Sequence, residues 1–519
     1  MTASFDTSGR LVRSRGARRL AAGGGALAAA GALASCSAFA SAEADPDDAD
    51  FFDADSVHSI AVSYDEDEYD AMMGTFTSTG EKDWIAATVT IDGEEYQDVG
   101  LRLKGNSSLR GLGGGGEDAA GGGEQGGGPG GGADGASADD PAGLPWLIRL
   151  DKYVDGQEHD GRADYVVRSN TSETSLNEAV ALHVLELADV TAEQAAYARF
   201  SVNGSDEQLR LVLDLPDDAL WNEAVYPDGG ITYKADSEGD WSYRGDEASA
   251  YEEVFEAKDD STGGTDDETY APLAAFLDFV NNSSDTEFAD GLGDRLDVDA
   301  FARYLAAQEL VANSDDIDGP GNNAYLHYDP TSGLMEVVAW DQNLSYGGMG
   351  GGFGGGAGGG RAPDGGEAPQ DGPRPDVEEL PEGELPEGME PPAGGGFPGA
   401  DGGQDAAGGR GGFGGQDNPL VTRFLDDDGF AAAYEAALAD LTASVYESGD
   451  AQDHLDELSA MLSEEASDLV DADTVASEAD AIAARLTGDD LTGEQADDQE
   501  ARGQESAQPE ASDEQTAGS

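Results

Sequence analysis

The sequence predicts an α+β protein, β-rich in its first half and largely helical in its second, with a leader for export and two stretches that cannot bury a core. Three observations set that expectation. Short runs between Trp84 and Leu215 alternate apolar and polar residues with period two. From Val298, and again from Leu420, apolar residues recur with the helical period. Residues 111–138 and 347–416 are rich in Gly, the second with a Pro/Glu-rich middle, a composition that reads as flexible or disordered.

At the N-terminus, Arg10, Arg13, Arg15, Arg18 and Arg19 precede an uncharged run from Leu20 to Ser35, the n-region and h-region of a signal peptide. The run is too short to span a bilayer comfortably. It ends in Leu33-Ala34-Ser35-Cys36, and Cys36 is the only cysteine of the chain. The pattern resembles a bacterial lipobox, so Cys36 is expected to carry lipid and to hold the protein on the outer face of the cell membrane. With that thiol committed, no disulfide is available to the exported body. Residues 37–54 read as an acidic linker, residues 55–486 as the folded body, and residues 487–519 as an acidic disordered tail.

Asp and Glu number 109 against 26 Lys and Arg, a formal net charge of −83. Such a surface excludes nucleic-acid polymers and anionic headgroups as partners of the bulk protein; cations are its natural counterpart. Because the acidity runs through every segment, it reads as a solvated surface rather than as a set of sites.

Within the body, the pattern predicts strands over 84–91 and 96–103, joined at Asp92-Gly93, with Val99, Leu101 and Leu103 on one face. A third strand is expected over 146–150. A helix over 174–187 carries Leu176, Val180, Val184 and Leu187 on one stripe, and Ser175 and Glu178 have capping-box spacing. Strands over 197–202 and 208–215 turn at Asn203-Gly204, and a hinge falls near Pro216. A helix over 298–313, with Phe301, Tyr304, Leu305, Leu310 and Val311, leads into the polar loop 314–323. Strands over 324–328 and 335–340 follow, then Asp341; helices over 420–486 close the body.

The chemistry concentrates around that loop. Asp318 and Asn323 stand five apart after a long helix, and Asp341 follows a strand pair. Protein kinases use this arrangement: one Asp aligns the hydroxyl nucleophile, the Asn holds a metal, and the second Asp holds the metals that bridge ATP phosphates. Phosphoryl transfer requires positioned divalent cations and a carboxylate near the attacking oxygen. Earlier, Lys104-Gly105-Asn106-Ser107-Ser108, expected at a hairpin tip, could set backbone N–H groups and a cation against phosphates.

Four stretches, Leu101–Ser108, Val166–Asn170, Asp318–Leu326 and Val338–Asn343, resemble the spore-coat CotH kinase family. The likeness runs from about Ser56 to Leu486, apart from the inserts. It implies a protein-kinase-like two-lobed fold, with a β-rich small lobe and a helical large lobe. It also implies ATP and Mg²⁺ or Mn²⁺ as cofactors, and Ser or Thr of exported or surface proteins as acceptors. On the matching positions, Asp318 is the catalytic carboxylate, Asn323 and Asp341 are metal ligands, and Asn343 is a candidate further ligand. Asp316-Ile317 stand where typical kinases have His-Arg, and Asp341-Gln342-Asn343 replaces Asp-Phe-Gly; both suit the CotH pattern. Three residues compete for the small-lobe cation: Lys104, Arg149 and Lys152. Glu178 is expected either to pair with that cation or to complete the capping box.

Other chemistries fit less well. Asp316, Asp318 and Gly319 resemble part of a calcium loop, but position twelve would be Tyr325 instead of a bidentate Glu. His58, His159, His183, His327 and His454 have no close ligand spacing, and neither a nucleophile elbow nor a Walker loop is present. A different transferase on the same fold, or a catalytically silent surface scaffold, remains the alternative to a kinase.

Overall fold

The computed structural model describes residues 51–52, 56–105, 107–112, 137–236, 240–313, 315–318, 321, 323–347 and 418–486. Cys36, most of the acidic linker, Asn106, nearly all of both inserts and the tail from 487 lie outside them.

Seven strands close into a barrel. In chain order the elements are β1 (His58–Tyr64), α1 (Glu66–Thr79), β2 (Ile85–Ile91), β3 (Glu94–Leu103), β4 (Trp146–Arg149), β5 (Asp164–Val167), α2 (Leu176–Leu187), β6 (Ala195–Val202) and β7 (Gln208–Leu213). The strands run β1-β2-β3-β4-β5-β7-β6 around the barrel, and β1 lies parallel to β6 to close it. Period-two alternation builds the inside: Val99, Leu101 and Leu103 of β3 join Trp146 and Ile148 of β4 in one buried cluster. Tyr69, Met72, Met73 and Phe76 of α1 belong to the same cluster. Asp65 starts α1 by accepting from the backbone N–H groups of Asp67 and Glu68.

The alternate residues face outward and make a second core. Leu147 of β4, Val166 of β5 and Leu211 and Leu213 of β7 pack with α2. The rest of that core comes from α3 (Ala219–Val225), β8 (Ile231–Ala235), β9 (Phe255–Asp260), α4 (Asp266–Asn282), α5 (Asp285–Gly291) and α6 (Val298–Leu310). Strands β10 (Ala324–Asp329) and β11 (Leu334–Ala339) and helices α7 (Pro419–Asp426), α8 (Asp428–Leu441), α9 (Asp450–Glu465) and α10 (Ala472–Ala483) complete it. Strands β11-β10-β8-β9 form a four-stranded antiparallel sheet.

The expected order of the first half lacks β1, α1 and β5, and without β1 and β5 there is no closed barrel. The second half is also less helical than its pattern suggests, because β8 and β9 widen the β10–β11 hairpin into a sheet. Among the described residues no helix is long and apolar enough to cross a membrane.

Candidate functional site

The outer face of β3, β4 and β5 turns its polar residues toward the second core. On β5, Tyr165 and Val167 point into the barrel, so Asp164 and Val166 point out, and Arg168 continues the outward row one step beyond the strand. Arg168 is the centre of the site. Its Nε donates to Glu178 Oε1 at 3.0 Å and Oε2 at 3.1 Å, and its Nη2 reaches both Glu178 and Asp341. Burial works against its charge, but Asp341 and Glu178 outweigh it and hold the guanidinium well above its usual range. Burial also raises the Glu178 carboxyl, although Arg168 opposes that shift.

Helix α2 is anchored at both ends of this contact. Ser175 sits at φ 52° and its side chain makes no cap bond, so Glu178 is not part of a capping box. Instead Glu478 of α10 accepts from Ser172 Oγ at 2.8 Å, the Glu173 N–H at 3.0 Å and the Thr174 N–H at 3.2 Å, just ahead of the helix. Within the first turn, Asn177 Nδ2 donates to the Asn343 carbonyl at 2.8 Å. The segment after Asp341 is thereby tied to the helix that carries Glu178.

Asp341 adopts φ 66°, a left-handed conformation that Asp tolerates better than most residues. Its N–H donates to Glu193 Oε1 at 2.9 Å, and two residues earlier the Ala339 N–H donates to the Thr191 carbonyl at 2.9 Å. Glu193 is 3 % exposed, and burial pushes its carboxyl up to about 8.

The loop after α6 brings its acids to the same place. Asn323 Nδ2 donates to the Asp315 carbonyl at 2.9 Å and to Asp315 Oδ2 at 2.8 Å. The Asp318 N–H donates to Asp316 Oδ1 at 3.0 Å. Ile317 is fully buried, and its carbonyl accepts from Asn418 Nδ2 at 3.2 Å, which pins the loop from below. Burial, then the charge of Asp341, raises the Asp315 carboxyl. Residues 319, 320 and 322 lie outside the described residues.

In a chain with only five lysines, three of them, Lys104, Lys234 and Lys258, gather about Asp217 on this face, and Lys82 lies near Lys104. Lys104 Nζ stands 5.5 Å from the Trp340 ring centre, and Lys234 Nζ stands 4.8 Å from that of Tyr325. Lys258 pairs with Asp217 at 3.3 Å, and the Tyr325 hydroxyl donates to Asp217 Oδ1 at 2.7 Å. Burial tends to raise Asp217, but Lys104 and Lys258 hold it below the usual carboxylate range. Burial, then Lys104, lowers Lys234 to about 8; burial, then Lys104, does the same to Lys82. Burial also lowers Lys104.

The three competitors for the small-lobe cation part company here. Arg149 is committed to Asp164, with Nε 2.7 Å from Oδ1. Lys152 lies over Trp84, its Nζ 4.9 Å from the ring centre. Lys104 faces Trp340, and Arg168, which was not among the three, pairs with Glu178. The Lys104–Ser108 segment is not at the β2–β3 tip, which Asp92 and Gly93 occupy; it follows β3 at the other end. There Gly105 has φ 94°, and a Cβ on it would stand 2.5 Å from Ser108 Oγ, so the turn requires glycine. Besides Arg168, the pattern of the sequence missed Asp315, Glu193, Asp217 and Lys234. The signals for Arg168 were its place in the outward row of Asp164 and Val166 and its position inside the family-like stretch Val166–Asn170.

Among the described residues no three His, Cys, Asp or Glu side chains gather closely enough to hold a metal by themselves. The oxygen donors here are Asp341 and Asp315, whose charges repel, with Asn323 bonded to Asp315 between loop and strand. Two mutually repelling carboxylates and an amide are a hard-oxygen set of the kind that suits Mg²⁺ or Mn²⁺.

A family model described as CotH kinase protein matches residues 134–486, about two thirds of the chain. Inner spore coat protein H of Bacillus subtilis (strain 168) is 27 % identical over 158 residues, which cover 30 % of this chain and 41 % of that protein.

Proposed function

Because the chain belongs to the CotH kinase protein family, we propose that it is an ATP-dependent kinase that phosphorylates Ser or Thr of exported proteins. In this reading the barrel is the small lobe of a kinase-like fold, the second core with its C-terminal helices is the large lobe, and substrates enter between them. One observation carries it: Arg168 joins Glu178 of α2 to Asp341 after β11 across 173 residues of chain. That bridge links the two halves of a phosphoryl-transfer site through one cation, the part that a Lys–Glu pair has in ordinary protein kinases.

Asp341, Asn323 and Asp315 would hold the divalent metal, with Asn343, two residues after Asp341, as a candidate further ligand. When bound, the metal would neutralise charge on the phosphates. Lys104, half-buried beside Trp340, supplies positive charge from the barrel side, and Gly105, Ser107 and Ser108 would supply backbone N–H groups. Asp318 takes the proton of the acceptor hydroxyl as its oxygen bonds to the γ-phosphorus; the bond to the β–γ bridging oxygen breaks and ADP leaves. Arg168 keeps α2 and Asp341 in register throughout.

The name of the matched relative, an inner spore coat protein, supports an extracytoplasmic or surface location; anchoring by a lipid on Cys36 rests on the sequence pattern alone. The purified mature chain should be incubated with ATP labelled at the γ-phosphoryl, Mg²⁺ or Mn²⁺ and casein-like acceptors. Mass spectrometry should find phosphate on Ser or Thr. Transfer of AMP instead would mean another transferase, and no transfer would favour a silent scaffold.

A further inference from the structure

Transfer of the γ-phosphoryl spreads negative charge over its three equatorial oxygens, and a cation held against those oxygens stabilises it beyond what the metal supplies. The loop that would align the acceptor has none. From Ser314 to Asn323 it reads Ser-Asp-Asp-Ile-Asp-Gly-Pro-Gly-Asn-Asn, three carboxylates without one Lys or Arg. Arg168 is bonded to two carboxylates and Arg149 to a third.

The sheet that widens the β10–β11 hairpin brings a cation to this loop from a distant stretch of chain. Strand β8 pairs antiparallel with β10 so that Lys234 stands opposite Tyr325, two residues beyond Asn323. Its Nζ lies 4.8 Å from the centre of the Tyr325 ring, and Trp340, adjacent in sequence to Asp341, lies edge-on to the same ring at 5.8 Å. Through the Tyr325 ring, Lys234 is thereby tied to the strand that follows Asn323 and to the tryptophan that precedes Asp341. The charges agree with that position: Lys234 acts on Asp315, while Asp341 and Asp217 act on Lys234. A lysine offers a compact point charge on a flexible stem, suited to following an oxygen as charge develops on it.

We propose that Lys234 is a catalytic residue that touches the transferring phosphoryl group, supplying from β8 the positive charge that the acidic 314–323 loop lacks. This rests on the kinase reading. The step it assists is the one already balanced: acceptor oxygen to phosphorus forms, phosphorus to bridging oxygen breaks, and the proton goes to Asp318. Lys234 gives up no proton; its ammonium stabilises the oxygens that gain charge.

Turnover with ATP and Mn²⁺ and affinity for ADP and Mn²⁺ should be measured on the wild type, Lys234→Met and Lys234→Arg, with melting temperatures as a control. ADP lacks the group that Lys234 touches. Lys234→Met should lose turnover by on the order of 10²- to 10³-fold, keep its affinity for ADP within about threefold, and regain part of the turnover in Lys234→Arg. An active wild type beside an equally active Lys234→Met overturns this inference alone, and so does a parallel loss of ADP binding, which would mark a structural lysine. A wild type that transfers no phosphate overturns the kinase reading and this inference with it.

Discussion

Replacing Arg168 by Met tests the bridge at the centre of the site, because stability and turnover should respond to different parts of it. Glu178 is only 2 % exposed and Asp341 25 %. Without the guanidinium, Glu178 is a buried charge lacking the group that compensates it. Removing one partner of a buried ion pair costs about 3–5 kcal/mol, because the remaining charge must be desolvated alone or take up a proton. With about 2.1 cal/mol/K of unfolding entropy per residue over roughly 330 described residues, that loss is a fall of about 4–7 °C in Tm. The double variant Arg168→Met, Glu178→Leu removes both charges and should recover most of that fall, since an apolar pair of similar volume is often neutral or better. Turnover should stay low in both variants, because in both Asp341 loses the guanidinium that holds its carboxylate. Calorimetric scans with a phosphoryl-transfer assay read the two effects separately. A single variant that melts within about 1 °C of wild type, or a double variant that regains activity along with stability, would refute the reasoning.

Asp341→Ala should abolish metal-dependent nucleotide binding. Asp318→Ala should lower turnover on the order of 10²- to 10⁴-fold and leave nucleotide affinity nearly unchanged, so equal loss of binding in calorimetric titrations of the two would sink that division of labour. His327 gives a pH prediction: it is 2 % exposed, stacked on Tyr226 at 3.4 Å, and burial lowers it to about 4. Its folded value lies below the unfolded one, so the unfolded chain binds the extra proton between about pH 6.5 and 4, and stability falls as pH drops through that window. Relative to His327→Gln, the wild type should lose on the order of 3 kcal/mol between pH 7 and pH 4; a difference that stays flat in denaturant titrations across that range contradicts it. Finally, Cys36→Ser should move the protein from the membrane to the soluble fraction, and intact-mass analysis finding an unmodified Cys36 thiol in the wild type would overturn the lipid assignment.

Local periodicity was legible because each strand or helix carries its own amphipathic pattern. Val99, Leu101 and Leu103 do line the barrel, and Phe301, Tyr304, Leu305 and Leu310 do bury along α6. The spacing of Asp318, Asn323 and Asp341 was legible for the same reason, since one loop and one hairpin separate them. Barrel closure was not, because β1 meets β6 in parallel from far away in the chain, with His58 opposite Ala198, and no local pattern records that partner. Strand β5 has four residues and starts with an Asp whose burial depends on Arg149. The charged contacts were the least legible of all. Any of several cations could have paired with Glu178, and the choice of Arg168 depends on which face of β5 turns toward α2 once the barrel has closed. The gathering of Lys104, Lys234 and Lys258 about Asp217 has the same origin. Sequence determines how many positive charges an acidic chain keeps, but only the folded strands bring residues 104, 234 and 258 to one buried carboxylate, where the lowered dielectric strengthens their attraction to it.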